Sequence, residues 1–169
     1  MKLMNKVILI IVSIIPFFLL CGCVKNDSQR IAEDYSTVIL QCLNGEREFS
    51  QLEALFCDAV SEKHDLESEI EYAMDTFIDG NFVNEGEWRG MFEAGSSVRD
   101  GKLVRSDIFP QIDDLETDSG KKYDIVFRAY TVYEEKPDYV GIIYIEIFDI
   151  TDTDYREDVR SYVIGGLDS

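Results

Sequence analysis

One histidine, one tryptophan and three prolines are all that this 169-residue chain holds of those residues. A single histidine, His64, set in a charged segment before a helix start, reads as a solvated linker residue. It leaves no multi-histidine metal site and no Ser-His-Asp triad to consider. Basic residues are also scarce, 16 against 34 acidic ones, for a formal charge of -18. Binding nucleic acid through its phosphates needs a basic patch, so that partner class is excluded. Anionic lipid head groups should repel the chain as well. No C-x-x-C pair occurs, which removes a thioredoxin-type motif. The single apolar run, Val7 to Leu20, would span roughly 21 Å as a helix, short of the ~30 Å bilayer core.

The apolar run has a different use. Lys2 and Lys6 precede it, and no acidic residue occurs before Asp27. This is the charged-then-apolar order of a secretory signal over residues 1–22. It ends in Leu20-Cys21-Gly22-Cys23, which resembles a bacterial lipoprotein box, with leucine at −3 and a small residue at −1. The thiol of Cys23 would be diacylglycerylated and the chain cut before it. Residues 23–27 would then form a short tether, and 28–169 a single domain held at the outer side of the cell membrane. Loss of Lys2 and Lys6 would leave the mature chain more acidic still.

Two cysteines remain once Cys21 is cut away and Cys23 acylated. Cys42 and Cys57 fall in neighbouring predicted helices, so either a disulfide or a pair of small buried hydrophobes fits. The first half reads helical. Ile31, Tyr35, Val38 and Cys42 recur at helical spacing, and Asn44-Gly45 stops the run. Ser50-Gln51-Leu52-Glu53 has the form of a capping box that opens a second helix. A third helix runs from near Asp65 to Asp79-Gly80, apolar through Leu66, Ile70, Ala73 and Phe77.

The second half, rich in aromatics, reads as strands. Residues 84–101 carry dispersed glycines and Trp88 and read as a long loop with a short element near 88–92. Strands follow at 102–109, 112–117, 121–133, 139–150 and 159–164. Alternation sorts Tyr123, Ile125, Phe127, Ala129, Thr131 and Tyr133 to a core face, and Arg128 and Tyr130 to the other. In the next strand Ile143, Ile145 and Ile147 are sorted to the core, and Ile142, Tyr144 and Glu146 away from it. That second face is too apolar for plain solvent exposure and reads as an interface or groove wall. The fold class is α+β: three N-terminal helices packed on an antiparallel sheet.

Several stretches carry a family resemblance: Leu55-Phe56-Cys57, Phe77-Ile78-Asp79-Gly80, the run from Pro110 through Ile112-Asp113-Asp114-Leu115 to Tyr123, and Gly141-Ile142-Ile143-Tyr144-Ile145. Over roughly residues 28–150 the chain resembles the small bacterial lipoproteins of domain-of-unknown-function family 5104. The resemblance implies a nuclear-transport-factor-2-like, or cystatin-like, cone with helices seated in a strongly curved sheet. It implies no catalytic residues. Dispersal of Gly86, Gly90 and Gly95 departs from the family's glycine-rich stretch.

The acidic clusters Asp113 to Asp118 and Asp149 to Asp158 lack the order of a calcium loop and read as solvated turns. No residue pattern calls for a metal or cofactor. Trp88, Arg128, Tyr130 and Tyr144 are the candidate ligand-binding residues, each weighed against a structural role: a core plug for Trp88, and a cross-strand pair for the tyrosines. Missing any nucleophile–base or metal constellation, the chain reads as a lipid-anchored extracytoplasmic binding or interaction module for an unknown small ligand or protein. Two alternatives stand beside it. One is a small cone-fold isomerase or hydrolase using acid–base chemistry. The other is a homodimer through the Arg128–Glu146 sheet face.

Overall fold

A computed structural model describes residues 27–152 and 159–167, with only the backbone of 90–94. The signal segment, Cys21 and the lipidation site Cys23 lie outside the described residues, as do Asp154 and Asp158. No described helix is long and apolar enough to cross a membrane.

Helix α1 spans Asp27–Leu43 and buries Ala32, Ser36, Ile39, Cys42 and Leu43, the three- and four-residue steps of one helix face. It stops where the sequence says. Gly45, at φ +69°, donates to the Cys42 carbonyl, and Glu46 donates to that of Gln41. This double bond pattern closes a helix on a left-handed residue, a conformation glycine adopts without strain. The side chain of Asn44 then holds the backbone of Phe82 through both its oxygen and its nitrogen.

The second predicted helix divides in two, α2 (Phe49–Glu53) and α3 (Asp58–Ser61). Its expected capping box does not form. Ser50 lies inside the first turn, and the cap residue is Glu48, whose side chain makes no cap bond. Leu55-Phe56-Cys57 leaves the helical path because the sheet takes its backbone. Cys57 N donates to Ile142 O at 3.0 Å, and Ile142 N to Leu55 O at 2.8 Å. Helix α4 (Leu66–Tyr72) starts on Asp65, whose carboxylate accepts from Ser68 N, and runs on as a π-helical turn over Ala73–Phe77. Four helical segments therefore precede the sheet among the described residues, where three were expected.

The sheet is a five-stranded antiparallel meander: β1 (Glu87–Arg99), β2 (Lys102–Glu116), β3 (Lys122–Tyr133), β4 (Gly141–Asp149) and β5 (Arg160–Gly165), in the order β1-β2-β3-β4-β5. The expected loop over 84–101 is a strand for most of its length. Its glycines masked the alternation, and pairing with β2 supplies what local propensity does not. The two strands expected at 102–109 and 112–117 are one, running through Pro110, which stands opposite Gly90.

Three register shifts decide which side chains point where. In β2, Ile112 pairs Ile125 and Leu115 pairs Tyr123, so Asp113 and Asp114 together face Asp124. Asp114 takes the positive φ of 56° that this bulge requires, and its amide donates to Asp124 Oδ1. In β3, Ser106 pairs Val132 but Asp107 pairs Tyr130, which leaves Thr131 as the extra residue. In β4, Arg128 pairs Tyr144 and Ala129 pairs Ile142, so Ile143 is extra.

The helices cover one face of the sheet. The core between the layers is filled by Ile108, Ile112, Ile125, Phe127, Ile145 and their neighbours, all closed to solvent. Tyr35 of α1 meets Phe127 with ring centroids 6.4 Å apart. Cys42 and Cys57 are both buried free thiols, so each serves as a small core hydrophobe. Burial pushes both thiol pKa values up.

His64 is not the solvated linker expected. Its ring is largely enclosed, with Nδ1 2.9 Å from Glu69 Oε1 and Nε2 2.8 Å from Gly166 O. Glu69 Oε2 accepts from the Gly165 amide. The end of β5 is thus fastened to the start of α4.

Candidate functional site

The face of the sheet turned away from the helices is where the candidate residues meet. Alternation along β2 brings Arg105 and Asp107 to this face, opposite Tyr133 and Tyr130 of β3. Tyr130 and Tyr133 are three residues apart and would point to opposite sides of a regular strand. The extra Thr131 reverses the alternation between them, so both rings stand outward, 4.9 Å apart. The expectation that Tyr133 joins the core face fails for this reason. The same effect in β4 sends Ile142, expected on the other face, fully into the core, while Ile143 stays buried at 6% exposure and also borders the groove.

Asp107 is the electrostatic centre. Its side chain is 3% exposed and receives two hydrogen bonds from Arg128, from Nε at 3.1 Å and Nη2 at 2.7 Å. Partial burial works against the charge of Arg128, but the bonds and Coulomb attraction of Asp107 outweigh it, and the pKa of Arg128 is raised. Arg105 approaches the same carboxylate only to 3.9 Å. Its Nη2 donates to the Tyr130 hydroxyl at 3.1 Å, and its guanidinium lies over the rings of Tyr130 and Tyr133 at 5.1 and 5.4 Å. A recess of about 190 Å³ lies beside this cluster, bounded by Gly95, Ser96 and Ser97 of β1.

Next to the recess runs a groove of about 560 Å³. Tyr130, Tyr133, Tyr139 and Tyr144 form its aromatic walls, with Val163 and Leu167 across from them. Lys136 stands at the Tyr139 end, its Nζ 4.5 Å from that ring centre. Tyr144 sits directly opposite Arg128 in register, and Glu146 follows it on the same side. Burial holds the Tyr144 phenol above the usual tyrosine range, opposed by Arg128 and reinforced by Glu146. Volume and lining match those of small-ligand sites: mostly aromatic and apolar walls with a few placed charges.

Three of the four candidate residues, Arg128, Tyr130 and Tyr144, line this groove. Trp88 does not. It is 36% exposed, at a separate pocket of about 360 Å³ between α1 and residues 82–88. It is not a core plug, and it cannot share a ligand with the groove residues. Sequence reasoning missed Arg105, Asp107 and Tyr133. The spacing Arg105-x-Asp107 puts two opposite charges on one strand face, but β2 also carries Lys102, Gln111, Asp113, Asp114 and Glu116, so the pair does not stand out. Nothing local to Tyr133 announced the bulge that turns it outward. Among the described residues no group of three or more His, Cys, Asp or Glu is placed to hold a metal.

No curated protein matches the chain. A family model, the domain of unknown function DUF5104, matches residues 38–152, from the last part of α1 to just past β4. That stretch holds the end of α1, helices α2 to α4, the first four strands and every charged residue of the groove and recess, and the chain belongs to the DUF5104 family.

Proposed function

We propose that this chain is a lipid-anchored extracytoplasmic binding module. Cys23 carries the lipid, residues 23–27 form a short tether outside the cell membrane, and the domain presents its outer-face groove to an unknown small ligand or protein. The accompanying fold reading is nuclear-transport-factor-2-like. It is supported by helices gathered on one sheet face and by five register shifts among the first four strands, since bulges bend strands.

The observation that carries the binding reading is the contrast between a solvent-closed core and an open outer face. Phe127, Ile125 and Ile145 are closed to solvent between helices and sheet, whereas Arg128, Tyr130 and Tyr144 line an open groove. Acid–base catalysis is the weaker reading. Asp107, the buried carboxylate beside the recess, is tied to Arg128 by two bonds and is poorly disposed to exchange protons with a substrate.

Two measurements test the proposal on protein from its bacterial host. Mass spectrometry should find a chain starting at a diacylglyceryl-modified Cys23; an intact Met1 removes the anchor. An environment-sensitive fluorophore on Val163→Cys, in the groove, should respond saturably to envelope extract. The same dye on Thr76→Cys, exposed in the helical layer, should not. Equal or absent responses discard the groove as the binding surface.

A further inference from the structure

Charge on the outer face runs against the rest of the molecule. The chain as a whole carries -18. Around the recess and groove, three cations (Arg105, Arg128 and Lys136) meet two carboxylates, Asp107 and Glu146. The strong bonds are unevenly shared. Arg128 takes Asp107 with two of its nitrogens, while Arg105 is left with a phenol and a loose 3.9 Å approach. Among the described residues no acceptor lies within reach of the buried Arg105 Nε. The guanidinium of Arg105 is therefore under-compensated, and its side chain remains 39% exposed. The recess beside it is bounded by Gly95 and Ser97, which stand opposite Asp107 and Arg105 in register, and by Ser96, with the tyrosine walls beyond.

Resting on the groove reading above, we infer that this face takes a small organic acid: a carboxylate head at Arg105, in the recess with Ser96 and Ser97, and an apolar or aromatic body laid along Tyr130, Tyr133 and Val163. The head gives the exposed part of the Arg105 side chain a close planar anion, where the nearest carboxylate oxygen is now 3.9 Å away and the unpaired Nε is itself closed to solvent. The body supplies apolar surface for rings that are otherwise half open to water. A free cation is disfavoured, because Arg105, Arg128 and Lys136 already lie over the tyrosine faces. A simple inorganic anion would use the recess but leave the groove uncovered. Long-range repulsion from the acidic surface slows any anion's approach and weakens with salt, so selection must come from these short-range contacts.

The test uses the full-length protein with 3-phenylpropionate and its uncharged analogue 3-phenylpropan-1-ol, titrated by calorimetry and by NMR. The acid should bind saturably and at least tenfold more tightly than the alcohol. Arg105→Met should lower acid affinity about tenfold and leave the alcohol within twofold. Ser97→Glu, at an exposed position that keeps every pairing in the cluster, should lower it comparably. Lys136→Met, at the far end, should change it less than twofold. Equal affinity for acid and alcohol, no saturable binding of the acid, an unaffected Ser97→Glu, or a larger loss in Lys136→Met than in Arg105→Met each overturns the inference. So does a dimer that covers the face and excludes the probe. A Val163 reporter that responds to envelope extract while the acid fails would sink the ligand class alone. Silence to both would sink the groove with it.

Discussion

Arg128 and Asp107 show how much one pairing decides. Asp107 is nearly solvent-free, and two of its hydrogen bonds come from one guanidinium. Arg128→Met would leave a buried carboxylate with only Arg105 nearby, and breaking such a pair costs about 3 kcal/mol. Urea denaturation should show that loss, and the double change Arg128→Met with Asp107→Asn should recover part of it, because the stranded charge is gone. A single-variant loss below about 1 kcal/mol would mean that Arg105 swings in to replace its neighbour. At this scale the sequence was half legible. Arg128, Tyr130 and Tyr144 stand out as polar or aromatic intrusions on a strand face. Asp107 looks like any other of 34 acids until its partner 21 positions away is known.

Among the elements, the junction of Leu55-Phe56-Cys57 with the start of β4 is the tightest. Gly141 has φ +128°, and a Cβ there would lie 2.8 Å from both Cys57 N and Leu55 O. Gly120 also has positive φ, +83°, but opens onto free space. Gly141→Ala should therefore cost at least about 2 kcal/mol in thermal or urea unfolding, against about 1 kcal/mol for Gly120→Ala. Equal losses would show that backbone conformation alone, and not the close approach, sets the cost. This junction explains why the predicted second helix is broken. Helical periodicity in Leu52, Leu55, Phe56 and Ala59 is real, but the backbone bonds to Ile142 win over it. Helix α1, the start of α4 and the β3–β4 core up to Ala129 were legible, because their apolar spacing agrees with where they pack. The alternation failed beyond Tyr130 and at Ile142, since a bulge is fixed by the strand across from it, which a local reading cannot see.

For the molecule as a whole, tyrosine burial predicts an alkaline limit. Burial raises the phenol pKa values of Tyr35, Tyr123, Tyr144 and Tyr162, on α1, β3, β4 and β5. In the unfolded chain these groups lose protons near pH 10, while in the folded protein they hold them to higher pH. Above pH ~10 the unfolded state thus binds fewer protons, and stability falls as pH rises; below it, both states are protonated and this contribution is intact. Melting temperature should drop between pH 9 and pH 11, and less steeply in Tyr123→Phe, which removes one of the four. A flat profile over that range would contradict the burial assigned to these rings. The ordering of the chain also bears on its assembly. At the end of β5, the last strand among the described residues, Gly165 and the following Gly166 meet Glu69 and His64, near the helices that come early in the chain. The segment around His64 and Glu69 must therefore wait for residues 102 and 96 positions further along before this latch can form.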